Sequence, residues 1–301
     1  MKDIVLITGA NGHLAKVVTK NLRKDYEVRN LTTNKKMSNK KLFFHWDVKK
    51  GYLDCKALEN CKHIIHLAGF SIIKRWTKKN KQIMYDSRIE STRLIYKECK
   101  KNNVHPKTFI SASAMGIYDQ SLEGIVHEKS QKGKDWLASM ACDWENASNK
   151  FKKLDSRVIQ MRISLIFSKN SGFLKYNLLA MKFGIGAIIG NPNSKINWIH
   201  VKDVSRFIQE CIEKNKYNGA YNLACDDKIS QKKFLETIRD YIFPYALIIK
   251  IPMFFIKLIL GERSKIINNN LCLETTKMKN YGFRCKINSL EKTLTNPKIN
   301  L

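Results

Sequence analysis

The feature that most constrains this chain lies at its start. A short apolar run at residues 3–7 meets the string Thr8-Gly9-Ala10-Asn11-Gly12-His13-Leu14-Ala15, and helical periodicity follows to about Lys24. Strand, glycine turn and helix in that order leave little choice of local geometry. Gly9 permits the tight turn, Gly12 lets the backbone come close to a bound anion, and Ala15 is small enough for the helix to pack on the strand. The first turn of a helix presents amide groups and the positive end of its dipole, so the segment is suited to a diphosphate. A dinucleotide is the expected ligand.

The rest of the first half repeats the alternation. Strands are predicted at 27–31, at 42–46 ending on Asp47, at 63–67, at 107–112 and at 157–163, with helices at 79–101 and 135–151. Short strands apolar on both faces, alternating with helices, specify a parallel sheet covered on both sides. The predicted fold class is therefore α/β, a Rossmann-type doubly wound parallel sheet, with a smaller C-terminal substrate-side domain. The first domain is predicted to span 1–170, with 198–225 returning to it, and the second 171–301. In the second, a helix is expected near 174–183, followed by a loop with Gly184, Gly186 and Gly190. In such sheets ligands bind beyond the carboxyl ends of the strands, so the loops at 8–15, 32–36, 47, 68–76 and 111–118 should line one cleft.

NAD-binding chains of this kind carry an Asp or Glu at the end of the second strand. Here Leu31 is followed by Thr32-Thr33-Asn34-Lys35-Lys36, hydroxyls and ammoniums that suit a 2′-phosphate. NADP (NADPH) is the expected cofactor. The alternative reading is that these lysines are ordinary solvated loop residues.

The formal net charge of +29 raises the question of a polyanionic partner. Of the 55 cations, 44 are Lys and 11 are Arg, whereas base reading and bidentate phosphate contacts favour Arg. The lysines fall in scattered pairs rather than one block, so nucleic acid is not an expected partner. The eight cysteines show no Cys-x-x-Cys and no metal spacing with histidine, and no metal is expected. No secretion signal is read at the N-terminus, and the apolar stretch 248–260 is interrupted by Lys250 and Lys257. A cytoplasmic protein with a small-molecule substrate and no membrane partner, monomeric or homodimeric, is the expectation.

With these residues in hand, the chain resembles the extended short-chain dehydrogenase/reductases, and within them the epimerase-family group that has an extra C-terminal segment. The resemblance covers nearly the whole chain. Beyond the glycine turn it rests on Trp46-Asp47, Leu67-Ala68-Gly69, Arg75-Trp76-Thr77, Asp86-Ser87-Arg88, Ser111-Ala112-Ser113-Ala114, Tyr118, Asp143-Trp144-Glu145, Arg162, residues 198–203, Asn222, Gly261-Glu262 and Gly282-Phe283. It implies that Gly9, Asn11, Gly12 and Leu14 surround the pyrophosphate, that Asp47 approaches the adenine, and that Ala68 and Gly69 lie along the cofactor. Thr8, His13, Thr33, Lys35, Leu67 and Ser111 complete the expected cofactor contacts. Thr33 stands where relatives often carry an Arg, so the NADP preference leans on Lys35 and Lys36.

The resemblance also implies a chemistry that the sequence lacks. Active members use a Tyr-x-x-x-Lys pair on the helix after the fifth strand, in which Lys lowers the Tyr pKa for proton exchange. Counted back from Trp144-Glu145, those positions hold Leu137 and Ala141. The strings Tyr52 to Lys56 and Tyr96 to Lys100 lie on other elements. Ser113, near the place of the superfamily's catalytic hydroxyl, and Tyr118 are the remaining catalytic candidates, set against a turn-stabilising role for the serine. Arg75 and Trp76 suit an anionic ring-bearing substrate or a packed loop. His200 and Asp203 read as a helix-capping turn, Cys142 as a buried thiol, and Trp136, Trp144 and Phe151 as core. Two functions stay open: an NADP-dependent oxidoreductase or epimerase-like enzyme acting on a small carbonyl or sugar-derived substrate, and a sensor or regulator that holds NADP(H) without turnover.

Overall fold

Eight strands form one sheet in the computed structural model, which describes residues 2–122, 124–266 and 271–296. In chain order they are β1 (Ile4–Thr8), β2 (Glu27–Thr32), β3 (Phe43–Asp47), β4 (Tyr52–Leu53), β5 (Cys61–His66), β6 (Thr108–Ala114), Arg157–Ile163 and Gly219–Leu223. Their spatial order is Gly219–Leu223, Arg157–Ile163, β6, β5, β1, β2, β3, β4. The chain leaves β1 on one side for β2 and β3 and resumes on the other with β5 and β6. The pairings among β1, β2, β3, β5 and β6 are parallel, and β4 runs antiparallel against β3. The carboxyl ends of β1, β2, β3, β5 and β6 thus share one edge, with the reversal of strand order at β1. This is the doubly wound arrangement predicted above.

Both faces of the sheet are covered, which is why β1 is buried at every position rather than at alternate ones. Helix α1 (His13–Leu22) turns Ala15, Val18, Thr19 and Leu22 inward at helical spacing. A one-turn helix, α2 (Lys35–Ser38), follows β2. Further along, α3 (Lys78–Tyr85), α4 (Ser91–Lys101) and α5 (Trp136–Asn149) complete this half. Leu94, Ile95 and Cys99 of α4 join Leu6, Ile64 and Phe109 in one core, where the Phe109 and Phe151 rings stack at 3.7 Å.

The helix predicted over 79–101 is interrupted. A π-helical turn at Asp86–Glu90 separates α3 from α4. The Ser91 hydroxyl lies 2.8 Å from the Ser87 carbonyl, Thr92 donates to the Arg88 carbonyl, and the Arg88 guanidinium donates to the Met84 carbonyl. Side chains that occupy carbonyls in this way open the regular ladder. The helix predicted over 135–151 is α5, with Asp135 as its cap rather than its first residue. Its carboxylate accepts from the Ala138 amide, and a 3₁₀ turn, Lys150–Leu154, carries the chain on.

The chain divides into two compact units. One holds the residues up to Ile117, Lys132–Arg162 and Ser205–Tyr221; the other holds Tyr118–Gln131, Ile163–Val204 and the residues from Asn222 onward. The division therefore falls before residue 170, because the chain leaves the large sheet early. Leu165–Phe167 pairs with Trp198–His200, and Gly124–Val126 pairs with Leu271–Leu273. The second unit packs around Phe167, Leu174, Trp198 and Phe234, with the Phe167 and Trp198 rings stacked at 4.7 Å. The helix predicted at 174–183 is Gly172–Lys182, and the stretch 248–260 splits into a strand, Leu247–Ile251, and a helix, Met253–Leu260. Among the described residues no helix is long and apolar enough to cross a membrane.

Candidate functional site

The glycine turn has the shape its spacing predicts. Gly9 sits at φ +74°, and a Cβ there would lie 3.0 Å from the backbone of Ala68 and from the Leu67 carbonyl. Both the left-handed conformation and the close approach of the β5 end require glycine. Gly12 has an ordinary φ of −70°, so its reason is space: a Cβ would stand 3.1 Å from the Gly9 carbonyl that its own amide reaches at 2.8 Å. Ala15 is buried, as helix-on-strand packing demands. At the start of α1, Gly12 offers no side-chain cap and the first turn holds no acid, so no carboxylate competes for an incoming anion. Asn11 and Gly12 are exposed, and His13 and Leu14 are half-buried. Burial, and then Lys16, lower the His13 pKa.

Behind this turn lies a network that the sequence reading did not contain. The Thr8 hydroxyl accepts from the amides of Leu67 and Ala68, each at 3.0 Å, and lies 2.8 Å from His66 Nδ1. With its acceptor capacity used by two amides, the hydroxyl gives its one proton to Nδ1. The imidazole proton is then on Nε2, where the Ser91 hydroxyl stands at 3.1 Å. His66 is fully buried, and burial pushes its pKa down to about 4, which keeps the ring neutral. Thr8 thereby ties the end of β1 to the end of β5 and shapes the 67–69 loop.

The Asp86-Ser87-Arg88 motif serves the same loop. The Ser87 hydroxyl accepts from the Phe70 amide at 2.8 Å, and the Arg88 guanidinium donates to the Phe70 carbonyl at 3.0 Å. Its charge lies 5.3 Å from the centre of the Trp144 ring, and burial lowers its pKa to about 10. A Cβ on Gly69 would meet that guanidinium at 3.1 Å. At the end of β2, the Thr32 hydroxyl accepts from the Asn34 amide, and the Asn34 side chain accepts from the Lys36 amide and caps α2. Thr33, Lys35 and Lys36 are exposed beyond it. Thr32 is in register with His45, so Asp47 ends the neighbouring strand close by, where it accepts from the Lys50 amide.

The catalytic candidates are interior groups. Ser111 is buried and in register with His66. Ser113, 4 % exposed, donates to Glu145 at 2.9 Å. That carboxylate receives the Arg162 guanidinium through two bonds, at 2.8 and 2.9 Å, with both residues buried. Tyr118 is wholly buried, and its hydroxyl donates to Asn222, whose amide donates in turn to the carbonyls of Val126 and Glu274. A phenol committed inside the core of the second unit is poorly placed to protonate a ligand, so its location runs against the catalytic expectation for Tyr118.

Leu137 and Ala141 are both buried, and Leu137 packs over Gly116, so α5 offers no phenol–amine pair. Tyr96 packs edge-on against Phe151. Cys142 is half-exposed rather than buried, and partial burial pushes its thiol pKa up, away from a nucleophilic thiolate. Asp203 stands in the first turn of a helix. It lies inside Val201–Glu213 and accepts from the amides of Lys286 and Ile287, while His200 Nδ1 accepts from the Lys202 amide. Trp144 and Phe151 are core, but Trp136 is half-exposed and meets the Trp76 indole at 5.1 Å. No group of three or more His, Cys, Asp or Glu able to hold a metal occurs among the described residues.

Comparison with known proteins places this geometry. Residues 5–224 match the NAD dependent epimerase/dehydratase family. The chain is 31% identical over 296 residues to the epimerase family protein YfhF of Bacillus subtilis (strain 168), covering 97% of this chain and 96% of that one. In fold it is similar to the human epimerase family protein SDR39U1 (isoform2) with NADPH, at a TM-score of 0.84 and 21% identity over 99% of both chains. It is also similar to the UDP-N-acetylglucosamine 4-epimerase of Methanobrevibacter ruminantium M1 in complex with UDP-N-acetylmuramic acid. That match has a TM-score of 0.77 and 19% identity, over 98% of this chain and 96% of the other.

Proposed function

The chain belongs to the NAD-dependent epimerase/dehydratase family, and from that premise we propose that it binds NADP(H) and acts as an oxidoreductase or epimerase-like enzyme on a small-molecule substrate. The observation that carries the reading is the cradle at the end of β1. Gly9 lets the turn close on the end of β5, and Gly12 puts no Cβ at a helix start that carries no side-chain cap. The residues present fit a dinucleotide. Thr8, Gly9, Asn11, Gly12, His13 and Leu14 would hold the diphosphate, Leu67, Ala68, Gly69 and Ser111 would flank the cofactor, and Asp47 would approach the adenine. Thr33, Lys35 and Lys36, with no acid at the end of β2, favour a 2′-phosphate. The human protein of similar fold was crystallised with NADPH. When bound, the nicotinamide supplies hydride chemistry. Ser113, oriented by Glu145 and Arg162, is the catalytic candidate of this chain; with its one proton given to Glu145, its oxygen would accept a hydrogen bond from a substrate hydroxyl.

A second reading, a sensor or regulator that holds NADP(H) without turnover, draws on Leu137 and Ala141 standing where a proton-transfer pair is needed. Fluorescence titration with NADPH and NADH, followed by a turnover screen over small carbonyl compounds and nucleotide sugars, separates the two. NADPH should bind at least about tenfold more tightly than NADH, the equivalent of 1.4 kcal/mol, and Lys35→Ala/Lys36→Ala should erase the difference. Equal or tighter NADH binding refutes the NADP assignment. Tight NADPH binding with no turnover favours the second reading.

A further inference from the structure

We propose that the second unit carries a docking face for an anionic lipid surface, built from the strand pair Ile185–Ile189 and Leu247–Ile251 and the helix Met253–Leu260. The strands run parallel, with Ile185, Ala187 and Ile189 in register with Leu247, Ile249 and Ile251. Neighbours in register point to the same side, so these side chains share one face. The other face is committed to the core: Gly186 and Ile188 are buried, and a Cβ on Gly186 would meet the Met181 and Leu235 side chains at 3.4 and 3.5 Å. An outer face that met only water would be polar, yet this one is aliphatic throughout, with Ile185, Leu247 and Ile249 exposed. The chain then passes through Pro252 into a helix with no fully buried residue. Met253, Ile256 and Leu260 are half-buried and mark its inner side, while Phe254, Phe255, Leu258 and Ile259 occupy one outward side. Of these, Phe254, Leu258 and Ile259 are 69, 75 and 72 % exposed. A Cβ on Gly190 would touch Met253 at 3.8 Å, so helix and strand pair adjoin.

Charge names the occupant. Residues 172–190 and 245–260, which hold this face and the helix Gly172–Lys182, contain Lys175, Lys182, Lys250 and Lys257, all exposed, and no Asp or Glu. On the helix Gln231–Tyr241, which meets the inner face through Leu235, Glu236 and Asp240 pair with Lys232 and Arg239. A second copy seated here would bring its lysines against a face with no carboxylate to receive them, in a chain of net charge +29, whereas anionic head groups attract them. Lysine stems lie along apolar surface while their ammoniums reach the head groups. Tyr245, exposed with its hydroxyl donating to the Lys182 carbonyl, has the apolar ring and polar tip of an interfacial residue. The eight-residue helix is about 12 Å long, against about 30 Å of hydrocarbon, so it lies in the interface and does not cross it. The sequence-based expectation of no membrane partner rested on the lack of a spanning segment, which a surface contact does not need.

The test is cosedimentation of the full chain with vesicles of phosphatidylcholine and phosphatidylglycerol in equal parts, and with phosphatidylcholine alone. Binding to the mixed vesicles is expected, with the neutral ones at least about tenfold weaker. A basic chain adsorbs to anionic vesicles by charge alone, so the deciding variant leaves charge unchanged. Phe254→Ser/Leu258→Ser should weaken binding at least about tenfold while far-UV dichroism and the thermal midpoint are kept. Lys250→Gln/Lys257→Gln should weaken it about tenfold or more, and Lys152→Gln/Lys153→Gln, exposed in the first unit, no more than about twofold. The absence of cosedimentation overturns the proposal, as does wild-type binding by the serine variant or equal losses in the two lysine variants. A wild type that is dimeric in velocity ultracentrifugation without vesicles, and monomeric once the serines are introduced, also overturns it, because the face then belongs to a second copy.

Discussion

Acidification should destabilise this fold through His66, by an amount that follows from where the ring lies. His66 is wholly buried between the Thr8 and Ser91 hydroxyls and close to the Arg88 backbone, and its folded pKa is about 4 against 6.5 in the unfolded chain. The folded value is the depressed one, so the unfolded state binds the extra proton. The contribution is fully present above about pH 6.5 and is lost as pH falls towards 4. Each pH unit crossed in that window removes up to about 1.4 kcal/mol, so moving from about pH 7 to about pH 4.5 removes roughly 2 kcal/mol through this ring. His63, whose pKa burial also lowers to about 4, adds a similar dependence, and carboxylates add theirs. The difference between wild type and His66→Gln isolates the His66 share. Urea unfolding of both proteins at the two pH values should give a His66→Gln variant that is less stable at neutral pH but loses about 2 kcal/mol less on acidification. Parallel losses in the two proteins would show that the imidazole is not held neutral in this way.

Two further perturbations test the buried polar groups. Glu145→Ala leaves the Arg162 guanidinium buried without its carboxylate and should cost about 3–5 kcal/mol, read as a lowered thermal midpoint; an unchanged midpoint contradicts the pairing. Asn222→Leu removes the acceptor of the Tyr118 hydroxyl and the donor to two carbonyls, and should cost about 1–3 kcal/mol in chemical denaturation, whereas a neutral effect would mean that water reaches that hydroxyl.

The parts of the structure that were legible in the sequence are those set by local rules. Strands buried on both faces read as continuous apolar runs, and the turn at Gly9 and Gly12 is written in residue size. The missing phenol–amine pair was also legible, because counting back from Trp144-Glu145 fixes the register of α5. What was hidden depends on partners far along the chain. Nothing near Ser113 announces that its hydroxyl meets Glu145, or that Arg162 holds that carboxylate from another strand. The π-helical turn at Asp86–Glu90 arises from hydroxyls bonding backwards onto carbonyls, which leaves the 3.6-residue period of the flanking helices undisturbed in the sequence. Trp136 has helical spacing to Trp144 and reads as core, yet its ring partner Trp76 stands on a loop sixty residues earlier. Asp203 looks like a cap because it precedes a helical pattern, and only the fold brings the 286–287 backbone to its carboxylate.

The measurement that bears most directly on the account is calorimetric binding of NADPH to the wild type and to Gly12→Val. The added side chain would press on the Gly9 carbonyl, 3.1 Å from where its Cβ must stand, and fill the space in front of the first amides of α1. Binding to the wild type and a loss of about a hundredfold or more in the variant, roughly 2.7 kcal/mol, are predicted, with the thermal midpoint largely kept. Equal affinity in a folded Gly12→Val protein would mean that no diphosphate rests on this helix start.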